Sequence, residues 1–208
     1  LKDEKNLTGF SFKTVTMWHS LEHVFSYTET LSLISKILMS HGNLIVACPN
    51  YESFDANYYK ETHYPIEIIH TPDQNKTDLE KAFDYLHARN IPAVNVVWAT
   101  GKRADHTITN LTTIANYRDK LKIVIIDDHS KVFLMPRKFE KWYTEKTVIS
   151  LMPIGIVTGI HSTNLHYPLK EDTLKMGYRT GSSNFVAKDG IVVIEHKTGD
   201  LLLMECLD

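Results

Sequence analysis

The chain has 208 residues, 43% of them hydrophobic and 23% charged, which is enough apolar material for one domain or two small ones. A formal net charge of −2 argues against a general nucleic-acid surface, and no apolar run reaches the length of a membrane span. The two cysteines, Cys48 and Cys206, form no CxxC pair, so a reduced, cytoplasmic setting is expected, with both thiols as small core residues. No signal-peptide pattern opens the chain, and its first residue is Leu1 rather than Met, so residues preceding it are expected.

In chain order, residues 1–9 are polar and expected to fray. Phe12 to Trp18 alternates like a strand, and Tyr27 to Ser40 carries Leu31, Ile34 and Leu38 at helical spacing. His41-Gly42 is expected to end that helix, with Gly42 as the left-handed residue, before a buried strand from Asn43 to Cys48. This predicts one right-handed β-α-β unit. His19-Ser-Leu-Glu-His23 has the H-x-x-E-H pattern that can share zinc between two imidazoles on a helix, but His19 falls on the turn, so surface or capping histidines are expected. Pro65 to His70 reads as a short strand.

Two polar clusters follow, Thr71-Pro-Asp-Gln-Asn-Lys-Thr-Asp-Leu-Glu-Lys-Ala82 and Gly101-Lys-Arg-Ala-Asp-His-Thr-Ile-Thr-Asn110. Between them lie a helix from Asp78 to Arg89, with a stripe of Ala82, Phe83, Leu86 and His87, and an apolar strand from Ala93 to Ala99 suited to a buried parallel position. Thr77 and Glu80 fit a capping box, and Asp105 fits an N-cap. Each cluster thus sits where a loop meets a helix start, where backbone N–H groups and the helix dipole favour phosphate. A turn glycine beside Lys102 and Arg103, with carboxylates nearby, suits a triphosphate and its magnesium. The second helix should run on through Leu111 and Ile114 to Asp119, followed by a buried strand from Lys122 to Asp127.

Beyond Lys131 the pattern changes to short strands: Val132–Met135, Phe139–Tyr143, Val148–Met152, Ile156–Gly159, Phe185–Ala187 and Ile191–Glu195. Turn signals such as Asp189-Gly190 separate them. The expected fold class is therefore α/β, a partly parallel sheet with flanking helices, followed by a small all-β sandwich domain. Gly181-Ser-Ser-Asn184 reads as a polar loop in that sandwich.

The two polar clusters resemble thiamine pyrophosphokinase. So do Ser150-Leu-Met-Pro-Ile-Gly155, Leu165-His-Tyr-Pro-Leu169, Gly181-Ser-Ser-Asn184 and Gly199-Asp-Leu-Leu-Leu-Met204, which follow in the family's order from about Ile66 onward. The resemblance implies transfer of a pyrophosphoryl group from ATP to the hydroxyl of thiamine, with release of AMP, by a magnesium-dependent homodimer. It carries Gln74, Thr77, Ser183 and Asn184 over as thiamine-binding residues. Gly101, Lys102, Arg103 and Asn110 would bind nucleotide, Asp78 and Asp105 would be catalytic, and Asp78 would also hold the metal. Leu165 to Leu169 is expected to pack rather than to contact substrate.

Residues 10–61 resemble instead the distal half of a class I methyltransferase, through Trp18-His-Ser-Leu-Glu-His-Val24, Gly42-Asn-Leu-Ile-Val-Ala-Cys-Pro-Asn50 and Ser53-Phe-Asp-Ala-Asn-Tyr-Tyr59. The glycine-rich loop that would hold S-adenosylmethionine has no counterpart here. The kinase family's aspartate motif, which binds magnesium, is also replaced, with Asp55-Ala56-Asn57 as no substitute, so impaired activity is expected. The implied domains are 1–65, methyltransferase-like; 66–133, a partial catalytic domain; and 134–208, the thiamine-binding sandwich. Two alternatives stand beside the kinase: a non-catalytic thiamine- or nucleotide-binding module, and a methyltransferase fragment.

Overall fold

A computed structural model describes residues 11–18, 27–47, 69, 71–97, 99–101 and 103–207. The chain divides into two compact units, Leu1–Trp98 and Ala99–Asp208. All but Ile69 of the expected strand at residues 65–70, the histidines His19 and His23, Cys48, and the stretch from Ser53 to Tyr59 lie outside the described residues.

In the first unit, β1 (Phe12–Trp18) lies in parallel between β2 (Leu38–Ala47) and β3 (Ala93–Val97). The helix α1 (Tyr27–Ile37) buries Ile34 against Val15 of β1, with Phe12, Ile37, Leu38, Leu44 and Val97 packed around the pair. The helix is shorter than its periodicity predicts, because β2 begins at Leu38 rather than Asn43. The register breaks there: Phe12 faces Leu38, whereas Thr14 already faces Asn43. His41, not Gly42, takes the left-handed conformation, at φ 61°. Gly42 is needed for a different reason. A Cβ there would sit 2.9 Å from the Met39 carbonyl oxygen and 3.2 Å from that of Lys13.

The helix α2 (Asp78–Ala88) buries Leu79, Phe83 and Leu86, one residue per turn on one face. The expected stripe is thus rotated; Ala82 is half-buried and His87 is exposed. Asn90, at φ 56°, closes the helix, with Asn90 N–H donating to the His87 carbonyl and Ile91 N–H to that of Leu86. In β3, Val94 and Val96 are buried but Ala93 is exposed, so the strand is covered unequally on its two faces rather than sealed on both.

The second unit starts with α3 (Ala104–Thr113), tightening into a 3₁₀ turn at Ile114–Tyr117. Then come β4 (Lys122–Ile126), β5 (Ser130–Leu134), β6 (Lys138–Tyr143), β7 (Val148–Thr163), β8 (Lys170–Lys175), β9 (Gly181–Phe185), β10 (Gly190–Glu195) and β11 (Thr198–Cys206). The described pairings among these strands are antiparallel: β4 with β5, β5 with β11, β11 with β7, and β10 with both β7 and β6. Two strands predicted at 148–152 and 156–159 are a single 16-residue strand, β7. Its first part pairs with β11 and β9 and its second with β8 and β10, so one strand serves two sheets. Gly155 at φ 76° and Gly159 at φ 64° lie where it changes partners, as bends at sandwich corners require. Ile149, Leu151, Ile160, Val192, Ile194 and Leu201, all 0% exposed, fill the space between the sheets. The β8 strand was not legible in the sequence, and Gly181 to Asn184 is strand rather than loop.

Candidate functional site

The first cluster, in the N-terminal unit, is held largely by its own side chains. Asn75 N–H donates to Asp73 Oδ1 at 2.8 Å, and Gln74 Nε2 donates to the Pro72 carbonyl at 3.3 Å. The capping box is present as predicted. Glu80 N–H donates to Thr77 Oγ1 at 3.3 Å, while Thr77 N–H donates to Glu80 Oε2 at 2.8 Å. The Thr77 hydroxyl also donates to Glu80, at 2.9 Å, so its donor hydrogen serves the helix start. That makes Thr77 a residue that sets where Asp78 stands. Asp78 begins the helix, with Oδ1 3.4 Å from Lys81 Nζ. Lys76 pairs with Asp84 at 2.6 Å across an exposed surface.

The second cluster, in the C-terminal unit, differs at its helix start. The N-cap residue of α3 is Arg103, and it makes no side-chain cap. Asp105, expected as the cap, instead lies at the second helical position. Its carboxylate turns to Arg103, with Nη2 to Oδ2 at 2.5 Å and Nε to Oδ1 at 3.2 Å. This guanidinium hydrogen bond holds the Asp105 carboxyl at about 2, so the group stays ionised and is a poor proton acceptor near neutral pH. The pair is exposed, which leaves Arg103 able to exchange its partner for a stronger anion.

The loop before α3 is tied at three successive residues. Asn110 Nδ2 donates to the Ala99 carbonyl at 2.7 Å, Thr100 Oγ1 donates to Asp127 Oδ2 at 2.7 Å, and Gly101 N–H donates to Thr107 Oγ1 at 3.2 Å. Asn110 therefore shapes the loop from behind. Gly101, at φ 155°, has nothing within 4 Å of where a Cβ would stand, so its exposed side is open. Lys102 lies outside the described residues. Thr100 and Asp127 were not singled out in the sequence; the only signal was an aspartate directly after a buried strand.

The third group surrounds β9. Ser183 is exposed and left-handed at φ 56°, and its N–H donates to Ser150 Oγ at 2.9 Å. Asn184 is only 4% exposed. Its Oδ1 accepts from Tyr167 N–H at 3.0 Å and Phe185 N–H at 2.9 Å, and its Nδ2 donates to the Tyr167 carbonyl at 2.8 Å. The amide expected to meet a ligand is therefore occupied in holding the Leu165–Leu169 segment. His166 stacks on Phe185 at 4.3 Å between ring centroids, with Tyr167 edge-on at 4.7 Å from His166. Exposed aromatic faces of this kind suit a flat, cationic ring.

Residues 51–125 match the thiamin pyrophosphokinase catalytic domain, and residues 135–201 match the thiamin pyrophosphokinase vitamin B1 binding domain. Both matched regions are thiamin pyrophosphokinase domains. Thiamine pyrophosphokinase 1 of Oryza sativa subsp. japonica is 24% identical over 154 residues, covering 68% of this chain and 54% of that protein. The chain thus spans about half the length of the curated relative it matches. The fold is that of the thiamine pyrophosphokinase crystal structures from Bacillus subtilis (TM-score 0.70, 17% identity) and Geobacillus thermodenitrificans (0.69, 18%). Both cover 94% of this chain, and it covers 99% and 98% of theirs.

These matches correct the reading of residues 10–61. The thiamin pyrophosphokinase catalytic domain begins at residue 51, ahead of Ile66 and inside the supposed methyltransferase piece. The structural likeness also extends over nearly the whole chain, so the methyltransferase-like assignment is not supported. A β-α-β unit with a buried second strand is common to many α/β folds, which is why the local pattern misled. No group of three acidic, histidine or cysteine side chains that could hold a metal ion occurs among the described residues. Asp78 is a single carboxylate facing Lys81. No helix among the described residues is long and apolar enough to cross a membrane.

Proposed function

We propose that the chain acts as a thiamine diphosphokinase, moving a pyrophosphoryl group from ATP to the hydroxyl of thiamine. The thiamine oxygen attacks the β-phosphorus, its proton is lost, and AMP departs from the other side. The observation that carries the proposal is the start of α3, whose N-cap residue Arg103 gives no side-chain cap. Where α2 satisfies its first N–H groups with a capping box, α3 has Arg103 and an open glycine and no side-chain cap. Such an end suits an anion, whose phosphate oxygens are acceptors of the kind that Thr77 supplies to α2.

In this scheme Arg103 leaves Asp105 for the phosphate chain, Lys102 adds charge neutralisation, and Gly101 lets phosphate approach the backbone. Asn110 serves through the Ala99 carbonyl. Asp105 stays ionised and anchors a cationic or donor group; Asp78 orients the attacking hydroxyl. The aromatic cluster of His166, Tyr167 and Phe185 accepts the thiamine rings, with Ser183 beside it and Asn184 setting its shape. Gln74 is exposed and available for substrate. The active form is a homodimer located in the cytoplasm, and the domain boundary falls at 133/134.

The test is incubation with ATP, thiamine and Mg²⁺, with chromatography for AMP and thiamine diphosphate. Both products are expected in equal amounts. Thiamine binding without AMP formation favours the non-catalytic module. Binding of neither substrate removes the assignment.

A further inference from the structure

We propose that Asp127 and Thr100 form a positioning pair that sets the Gly101 loop for nucleotide, an inference that rests on the function proposed above. Asp127 directly follows β4, and its two carboxylate oxygens do separate work. Oδ1 accepts from His129 N–H at 2.9 Å, Ser130 N–H at 2.7 Å and Ser130 Oγ at 3.0 Å. Those three bonds are local and complete the tight turn from β4 into β5. The turn requires nothing further from the residue; an asparagine oxygen makes the same backbone bonds.

Oδ2 is not used by the turn. It accepts the Thr100 hydroxyl at 2.7 Å, across 27 residues of sequence. Thr100 immediately precedes Gly101, whose conformation few other residues adopt. A rotation at Thr100 therefore swings Gly101 and the α3 start that follows. Flanking bonds, from Asn110 Nδ2 to the Ala99 carbonyl and from Gly101 N–H to Thr107 Oγ1, fix the residues on either side, and Asp127 fixes the one between. Burial alone raises the Asp127 carboxyl, yet the hydrogen bonds from Thr100, His129 and Ser130 outweigh it and hold the group below its ordinary range. The acceptor stays ionised, and a hydrogen bond to a charged group is the stronger kind. A loop held in place this way loses less freedom when phosphate arrives.

The experiment uses the full chain with Thr100→Val, which removes the hydroxyl at nearly constant shape and leaves the β4–β5 turn intact, and with Thr100→Ser, which restores the donor. Two readouts are taken: amide hydrogen exchange at Gly101, and calorimetric affinity for a non-hydrolysable ATP analogue. Thr100→Val is expected to speed Gly101 exchange and to weaken the analogue roughly tenfold, as loss of one charge-assisted bond predicts. Thr100→Ser should recover both, and thiamine affinity should stay put. Asp127→Asn in the Thr100→Val background, which keeps an oxygen for the β4–β5 turn, should add no further loss of affinity, since the pair acts as a unit. Unchanged Gly101 exchange in Thr100→Val overturns the positioning role even if nucleotide binds. Absence of analogue binding by the wild type overturns the kinase reading, while the exchange comparison still decides whether the pair positions the loop.

Discussion

Replacing Asn184 with alanine tests whether this side chain holds the fold or meets a ligand. The residue is buried and makes three hydrogen bonds, two to the backbone of Tyr167 and one to that of Phe185. Truncation leaves the Tyr167 N–H and carbonyl and the Phe185 N–H without partners. A fully buried orphan costs about 1–3 kcal/mol, but the exposed flank of Tyr167 lets water recover part of its loss. A total of roughly 2–3 kcal/mol follows for the variant. For a chain of 208 residues that corresponds to a fall in Tm of about 5–10 °C, measurable by differential scanning calorimetry. Asn184→Asp keeps the acceptor and loses the donor, setting a carboxylate against the Tyr167 carbonyl, and should fall between the two. The stacking of His166 on Phe185 should loosen in parallel, visible as altered aromatic NMR shifts. A Tm for Asn184→Ala within 1 °C of wild type, by order of magnitude the noise of such a measurement, refutes the structural role and returns the amide to direct ligand contact.

Thr77→Ala should cost about 1 kcal/mol in urea unfolding, and Glu80→Ala a similar amount, with the double variant clearly less than the sum because the two side chains form one box; additive losses would dissolve the box. Arg103→Gln should return the Asp105 carboxyl from about 2 to the ordinary aspartate range in a carbon-13 NMR titration, and a value still near 2 would mean that another group holds it down. His196 is buried, and burial first, with the nearby Arg137 and Arg118 charges adding, depresses its folded pKa. The imidazole is then neutral in the folded chain while the unfolded chain takes up a proton as pH falls below about 6.5. Stability is therefore full above that pH and declines below it, by at most about 1.4 kcal/mol per pH unit, until the folded pKa is passed. Urea midpoints at pH 7.5 and 5.5 should differ more for wild type than for His196→Gln; equal differences would acquit His196.

The sequence alone determined whatever depends on short-range chemistry. The Thr77–Glu80 box, the helix from Asp78, and the strands at Phe12–Trp18 and Lys122–Ile126 all follow from spacing, because capping and periodicity act within a turn or two of chain. The order of the two domains was legible for the same reason: their motifs are local. What required tertiary structure was the use to which each polar group is put. Asp105 was a cap on paper, but the helix starts earlier and the carboxylate belongs to Arg103. Asn184 reads as a ligand contact by resemblance, and only the tertiary structure shows its amide bonded to a backbone 17 residues away. The single long β7 was read as two strands because glycine at 155 and 159 signals a break locally, whereas pairing with strands on both sides carries it through. The tie from Thr100 to Asp127 spans 27 residues and leaves no periodic trace at all, since a hydrogen bond depends on where two atoms meet in space and not on how far apart they stand along the chain.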